Sequence, residues 1–389
     1  MGSEAWAIGV DLGGTKVEVA RVDADGKIHR RLTWFSQAAR AIHPAPRRAS
    51  QTKLLEEIPM EYTRIAGTDL QVSRIALGTW AIGGWMWGGT DEDQAIRTIH
   101  AALAQGINLI DTASVYGFGR SEEIVGKALA QKKCRDQVVI ATKTGLDWKD
   151  GKVFRNCFPD YLKRNFAESL KNLQTDYVDI LYVHWPDPLE PFAETARVMH
   201  QFLKEGKIKA VGVSNYSPEQ IQAFQQGGPV HIVQPPYNLF ERGIEADLMP
   251  FCHNHNLHLM TYGALCRGLL SGKVTAARTY PGDDLRNHDP KFKQPRLDQY
   301  LAAVKQLDTF AWERFDRRVL HLAVRWVLDY GSHIALWGGR RPDQMDPVPE
   351  IMGWHLDQPA MHAIDDILKE TIKDPVGPEF MAPPARRQT

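Results

Sequence analysis

The chain has 389 residues, 43% hydrophobic and 24% charged, an ordinary globular make-up with length enough for a large core. Its 47 Lys+Arg balance 47 Asp+Glu, so no basic surplus advertises nucleic acid or an anionic membrane surface. No apolar run approaches a membrane span, no secretory leader opens the sequence, and Cys134, Cys157, Cys252 and Cys266 form no CxxC pair, which together predict a cytoplasmic protein without nucleic-acid or membrane partners.

In chain order, residues 7–12, 16–22 and 27–34 predict a β-rich fragment over 1–35. Within it, Gly9-Val10-Asp11-Leu12-Gly13-Gly14-Thr15-Lys16 resembles the amino-terminal phosphate loop of the ROK family of sugar kinases. That resemblance implies backbone amides and a Thr hydroxyl around an ATP phosphate. It is not a Walker A loop, because no Gly-Lys-Ser/Thr follows at the required spacing. No later stretch supplies a catalytic Asp, a sugar site or a cysteine-rich zinc motif, and three strands cannot bury a core of their own. A kinase activity is therefore not expected. Residues 36–59, rich in Ala, Arg and Pro (Pro44, Pro46, Pro59), read as a linker.

The composition shifts at Met60. Residues 61–65 and 70–73 predict a small hairpin turned at Ala66-Gly67-Thr68-Asp69. Strands are then predicted at 75–77, 108–110, 138–142, 178–183, 210–213, 232–234, 258–261 and 334–337. Helices are predicted between them at 91–105, 122–130, 159–173, 192–205, 218–226, 244–255, 296–312 and 319–330. Phe192, Ala196, Met199 and Leu203 form the apolar stripe of a helix lying on a sheet. Short apolar strands alternating with amphipathic helices predict parallel βα units, and eight of them over 60–389 predict a closed (β/α)8 TIM barrel with a β-rich amino-terminal extension. No GxGxxG follows the first strand, which argues against a Rossmann domain.

A parallel barrel brings all strand carboxyl ends to one mouth. Those ends offer Asp111 after the second strand, Lys143 after the third and His184 after the fourth, with Tyr116 on the second loop. A phenol exchanges protons poorly at neutral pH, but a cation beside it stabilises phenolate, so Lys143 is expected to lower the Tyr116 pKa. Asp111 can pair with Lys143, and His184 can donate to a substrate oxygen. Such a group can protonate a carbonyl oxygen while a cofactor delivers hydride, which no side chain can do. Cys252, His253, His255 and His258 form a second cluster, but positions 253 and 255 of a helix face nearly opposite ways, so no metal is expected.

Asn108-Leu109-Ile110-Asp111-Thr112-Ala113-Ser114-Val115-Tyr116-Gly117, Ala141-Thr142-Lys143 and Val183-His184-Trp185 carry a resemblance to the aldo/keto reductases. Gly212-Val213-Ser214-Asn215-Tyr216-Ser217, Gln234-Pro235-Pro236-Tyr237-Asn238 and Tyr262-Gly263-Ala264-Leu265 extend it over residues 60–384. The resemblance implies a catalytic tetrad of Asp111, Tyr116, Lys143 and His184. It implies a nicotinamide amide held by Ser214, Asn215 and Gln234 with Tyr262 under the ring, and further cofactor contacts at Thr79, Trp80 and Gly263. The segment 265–295 resembles the family's loop over the pyrophosphate, to which Leu265, Arg267, Gly268 and Leu269 would contribute amides and one cation. Gly338, Arg340, Arg341 and Gln344 then suit the 2′-phosphate of NADP(H). Two departures from the commoner pattern stand here, Trp337 for a frequent Pro and Val348 for a frequent Asn. Trp80, Trp85, Trp87 and Trp185 are expected at the mouth, with Trp85 and Trp185 lining a pocket for small carbonyl substrates. The same fold also serves nicotinamide-binding regulatory subunits, resembling potassium-channel β-subunits, and that alternative stays open. Nothing in the sequence sets an oligomeric state.

Overall fold

The structure, a computed structural model, describes residues 59–386 and three strands nearer the amino terminus. Those strands, β1 (Ala5–Val10), β2 (Lys16–Val22) and β3 (Ile28–Phe35), pair antiparallel in the order β1-β2-β3. Residues 11–15 of the expected phosphate loop, and all but the last residue of the expected linker 36–59, lie outside the described residues. The chain divides into two units, Met1–Glu56 and Glu57–Thr389. The second carries everything below.

It opens with the hairpin β4 (Tyr62–Arg64) and β5 (Gln71–Ser73). Eight parallel strands follow: β6 (Ile75–Gly78), β7 (Leu109–Asp111), β8 (Val139–Thr144), β11 (Ile180–Val183), β12 (Ala210–Ser214), β13 (Ile232–Gln234), β14 (His258–Thr261) and β15 (Ile334–Gly338). They neighbour one another in that order, and β15 pairs with β6 to close the predicted barrel. Between β8 and β11 an unpredicted hairpin is inserted, β9 (Leu146–Lys149) and β10 (Lys152–Arg155). Its turn holds Asp150 and Gly151 at φ of 52° and 73°, the left-handed pair that an Asp-Gly hairpin turn requires. Among the described residues no helix is long and apolar enough to cross a membrane.

The helix predicted at 244–255 is shorter, Leu248–Asn254, behind a separate 3-10 turn Gly243–Glu245. Pro250 explains the difference. It lacks an N–H and is tolerated only in a first turn, so the helix must begin just before it, where the Asp247 side chain caps Leu248 N–H. A further helix, Gln358–Thr371, was not predicted; the Asp357 carboxylate caps it at Ala360 N–H.

Strand side chains alternate between two apolar layers. Leu109, Val139, Ala141, Ile180, Tyr182, Ala210, Ile232 and Met260 turn into the barrel. Ile110, Ile140, Leu181, Val183, Val211 and Val213 turn outward, onto the helices. Ile65, Leu70 and Val72 of the first hairpin join the inner layer and close the barrel floor. Gly212 is small for a reason: a Cβ there would lie 2.3 Å from the Tyr182 ring, which fills the barrel centre.

The histidines of the second sequence cluster have separate partners. His253 Nε2 meets the Gly331 carbonyl at 3.0 Å, and the His255 ring stacks on Phe251. At the foot of the barrel, His258 Nδ1 accepts from Ala66 N–H, and its ring stacks on His333, whose Nδ1 accepts from Leu259 N–H. Burial pushes both imidazoles down to about 4, with Arg74, His253 and His258 adding to the effect on His333. Because the folded values lie below the free one, the unfolded chain takes up protons first. Their contribution to stability is therefore complete above pH 6.5 and is lost as pH falls toward 4. The thermal midpoint is expected to drop by on the order of several degrees between pH 7 and pH 5. His333→Gln should flatten that slope, and an unchanged slope in this variant would contradict the assignment.

Candidate active site

The period of two that builds the inner layer also delivers the chemistry. Two residues on from Leu109, Ala141, Tyr182, Gly212, Ile232 and Met260 stand Asp111, Lys143, His184, Ser214, Gln234 and Tyr262, all at the carboxyl ends of their strands. Strand closure sets them around one mouth.

At its centre Lys143 Nζ lies 2.5 Å from Asp111 Oδ1, and both residues are 1% exposed. The ammonium also donates to Thr112 O at 3.0 Å and to the Tyr116 phenol oxygen at 3.3 Å. Gln234 Nε2 donates to the other Asp111 oxygen at 2.8 Å. Burial pushes Asp111 up and Lys143 down, and each resists the other's shift. The His184 ring meets Tyr116 edge-on, centroids 5.6 Å apart. Burial, then the charge of Lys143, holds His184 well below its ordinary pKa, so the ring is a neutral hydrogen-bonding group.

Tyr116 departs from expectation. Its phenol is raised well above the usual tyrosine value, first by burial and then by the charge of Asp111. Asp111 neutralises the very cation that was expected to pull it down. The site as it stands holds the phenolic proton firmly.

Around this centre runs a cavity of about 820 Å³. Thr79, Trp80, Ser214, Asn215, Gln234, Tyr262, Gly263, Leu265 and Gly268 line it, as do Gly338, Arg340, Arg341 and Gln344. Asn215 is left-handed, φ 62°, and its amide donates to Ser214 Oγ and the His184 carbonyl while accepting from Tyr262 OH at 2.9 Å. Trp85 and Trp185 line the same cavity, and Trp80 stacks on Tyr116 with centroids 5.9 Å apart.

At two of the expected positions the side chain is engaged elsewhere. Leu269 does not line the cavity; its side chain is fully buried in the outer core. Arg267 does reach the cavity wall, but its guanidinium is bound by Glu241 and Asp289 and is no free cation. At the Gly338–Gln344 end, Trp337 donates from its indole to Gln344 O, and Val348 is buried away from the cavity.

The cavity has walls that strand-end reasoning missed. Val153 comes from the inserted hairpin, whose Asp150-Gly151 pair was a readable signal. Phe380, Met381 and Pro383 come from the chain's far end, and no local pattern marks them. The Asp283 carboxylate ties two wall segments together, accepting from Met86 and Gly88 N–H at 2.7 and 3.2 Å, with Leu285 N–H donating to Met86 O.

The model of the aldo/keto reductase family matches residues 74–369. That match begins beyond Gly9–Lys16 and gives the sugar-kinase resemblance no support. The chain is 56% identical over 330 residues to an aldo-keto reductase of Bacillus subtilis (strain 168), YhdN, covering 85% of this chain and 100% of the relative. It is 35% identical over 302 residues to the NADH-specific methylglyoxal reductase of Escherichia coli (strain K12), covering 74% and 91%. Among solved structures, the glycerol dehydrogenase AKR11B4 from Gluconobacter oxydans matches with a TM-score of 0.75 at 49% identity, over 82% of this chain and 99% of that one.

The central pair makes a stability prediction. Lys143→Met leaves a buried carboxylate without its cation, which should cost about 3–5 kcal/mol. The double variant Lys143→Met/Asp111→Asn should recover part of the loss in chemical denaturation. A single variant as stable as the parent would show that the pair is not the anchor described.

Proposed function

The chain belongs to the aldo/keto reductase family, and from that premise we propose that it reduces small aldehydes or ketones using NADPH, with Tyr116 as the general acid. The observation that carries the reading is the Tyr116 phenol, 3.3 Å from an ammonium that is itself paired with a buried carboxylate, beside a neutral imidazole.

The cavity fits a nicotinamide dinucleotide. Its size suits a cofactor site, and two buried indole N–H groups on its wall, Trp80 Nε1 and Trp87 Nε1, have no partner among the described residues. Ser214, Asn215 and Gln234 would hold the carboxamide, with Tyr262 beneath the ring. Gly338, Arg340, Arg341 and Gln344 would hold the adenosine phosphate. When bound, the reduced cofactor supplies hydride to the carbonyl carbon.

The chain's own residues do the rest. His184 donates a hydrogen bond to the carbonyl oxygen and orients it between imidazole and phenol. Tyr116 keeps its proton until negative charge gathers on that oxygen, because an alkoxide is a far stronger base than a ground-state carbonyl. The proton then passes from the phenol oxygen to the substrate oxygen. Lys143, held by Asp111, stabilises the phenolate left behind. A firmly held phenolic proton thus suits an acid that acts only in the transition state. Trp85 and Trp185 would flank the substrate.

NADPH oxidation with a panel of small aldehydes and ketones tests the whole reading; cofactor binding without turnover of any of them would favour a sensor role. Tyr116→Phe should lower kcat by about 10²–10⁴-fold while leaving cofactor affinity nearly intact. Near-normal turnover in the purified variant would remove the assigned acid.

Cofactor choice is tested separately. Arg341 pairs with exposed Asp343, and Arg340 donates to the Trp87 carbonyl at 2.6 Å. Arg340→Ser/Arg341→Ser should weaken NADPH by about tenfold or more and NADH much less, since only the former carries the 2′-phosphate. Equal losses for both cofactors would mean that the arginines act by holding the Trp87 loop.

A further inference from the structure

Four charged side chains lie buried in and behind the cavity wall, and no step above uses them. Arg267 donates from Nε to Asp289 Oδ2 at 2.5 Å, and from Nη1 and Nη2 to Glu241 at 3.2 and 2.5 Å. Lys291 Nζ lies 2.8 Å from Glu241 Oε1 and 4.0 Å from Asp289 Oδ1. Asn238 Nδ2 donates to Glu241 Oε2 at 2.7 Å, so the carboxylate is met on both oxygens. Two cations thus balance two anions among buried residues, with Arg267 the most accessible at 8%. Burial alone would push Glu241 up, yet Arg267 and Lys291 hold it down to about 2.

The backbone carrying Arg267 needs such a hold. Cys266 and Arg267 have φ of 45° and 53°, left-handed values that side-chain-bearing residues avoid, and Gly268 follows at 94°. A run of this kind persists only where its surroundings over-determine it. The turn forms cavity wall at Leu265, Arg267 and Gly268. The same group reaches the chain's far end, where Lys291 Nζ donates to Gly377 O at 3.0 Å and the Arg267 cation lies 5.6 Å from the Phe380 ring. Phe380 and Met381 are cavity wall as well.

We propose that Glu241, Arg267, Asp289 and Lys291 form a buried ionic strut that positions the 265–268 turn and the 377–381 segment around the cavity, so that Arg267 governs cofactor affinity as a positioning residue and not as a phosphate ligand. The strut acts through backbone placement and therefore weakens NADH and NADPH alike when broken, unlike the arginines at 340 and 341. This rests on the cavity being the nicotinamide cofactor site.

The deciding variant is Glu241→Gln in the full chain, because it keeps the side chain's size and removes the charge that holds Arg267. Dissociation constants for NADPH and NADH are read from tryptophan fluorescence, since Trp80, Trp87 and Trp337 line the cavity. The expected result is a rise of about tenfold or more in both constants, with kcat at saturating cofactor falling much less than KM for cofactor rises. If Arg267 were a phosphate ligand restrained by Glu241, the freed guanidinium would tighten binding, and that outcome overturns the proposal. Unchanged constants overturn it too. Should this variant fail to fold, Asp289→Asn, which removes a single prong, is read in the same way. Hydrogen exchange on the unaltered protein without cofactor gives an independent reading: amides of 265–271 should be as protected as barrel strands, and fast exchange there contradicts the strut. A parent protein that binds neither cofactor would overturn the cofactor-site reading, leaving the strut to be judged by exchange alone.

Discussion

Lys143 and Asp111 are oppositely charged, 2.5 Å apart and sealed from water, and this pairing constrains what surrounds it. A buried ion pair is tolerable only when the remaining donors and acceptors are also met. Here the ammonium is completed by Thr112 O and the Tyr116 phenol, and the carboxylate by Gln234. Asp111 and Gln234 are 123 residues apart in sequence, so closing the barrel is a condition for satisfying the charge. The fold and the chemistry therefore depend on the same bonds.

The pair also sets the acidity of its neighbours. Its cation helps to keep His184 neutral, while its anion helps to raise the Tyr116 phenol. An imidazole without charge can donate a hydrogen bond without competing for the proton, and a tightly held phenolic proton is released only to a strong base. The electrostatics thus suit a site that waits for charge to develop on substrate.

Charge is arranged differently one shell further out. At the Gly338–Gln344 end of the cavity the guanidinium of Arg341 is half exposed, with a surface partner that contributes little. At Arg267 it is buried and bound on several sides. The same residue type thus offers an accessible cation in one place and rigid backbone support in the other. Burial and partner count, and not the side chain itself, make the difference.

Much of this protein was legible in its sequence because strand alternation is local. Once Leu109-Ile110-Asp111 and Ala141-Thr142-Lys143 are strand ends, side-chain parity alone puts Asp111 and Lys143 on the inner face, and the alternation of eight strands with helices implies closure. Side-chain partners across the fold are not local, and there only the tertiary structure decided. It gave Arg267 to Glu241 and Asp289, buried Leu269, and raised the Tyr116 phenol by burial first and the Asp111 charge second, although Lys143 stands beside it. It also brought Phe380 and Met381 to a wall that begins at Gly78, because cavity walls follow spatial proximity and sequence periodicity carries no record of it.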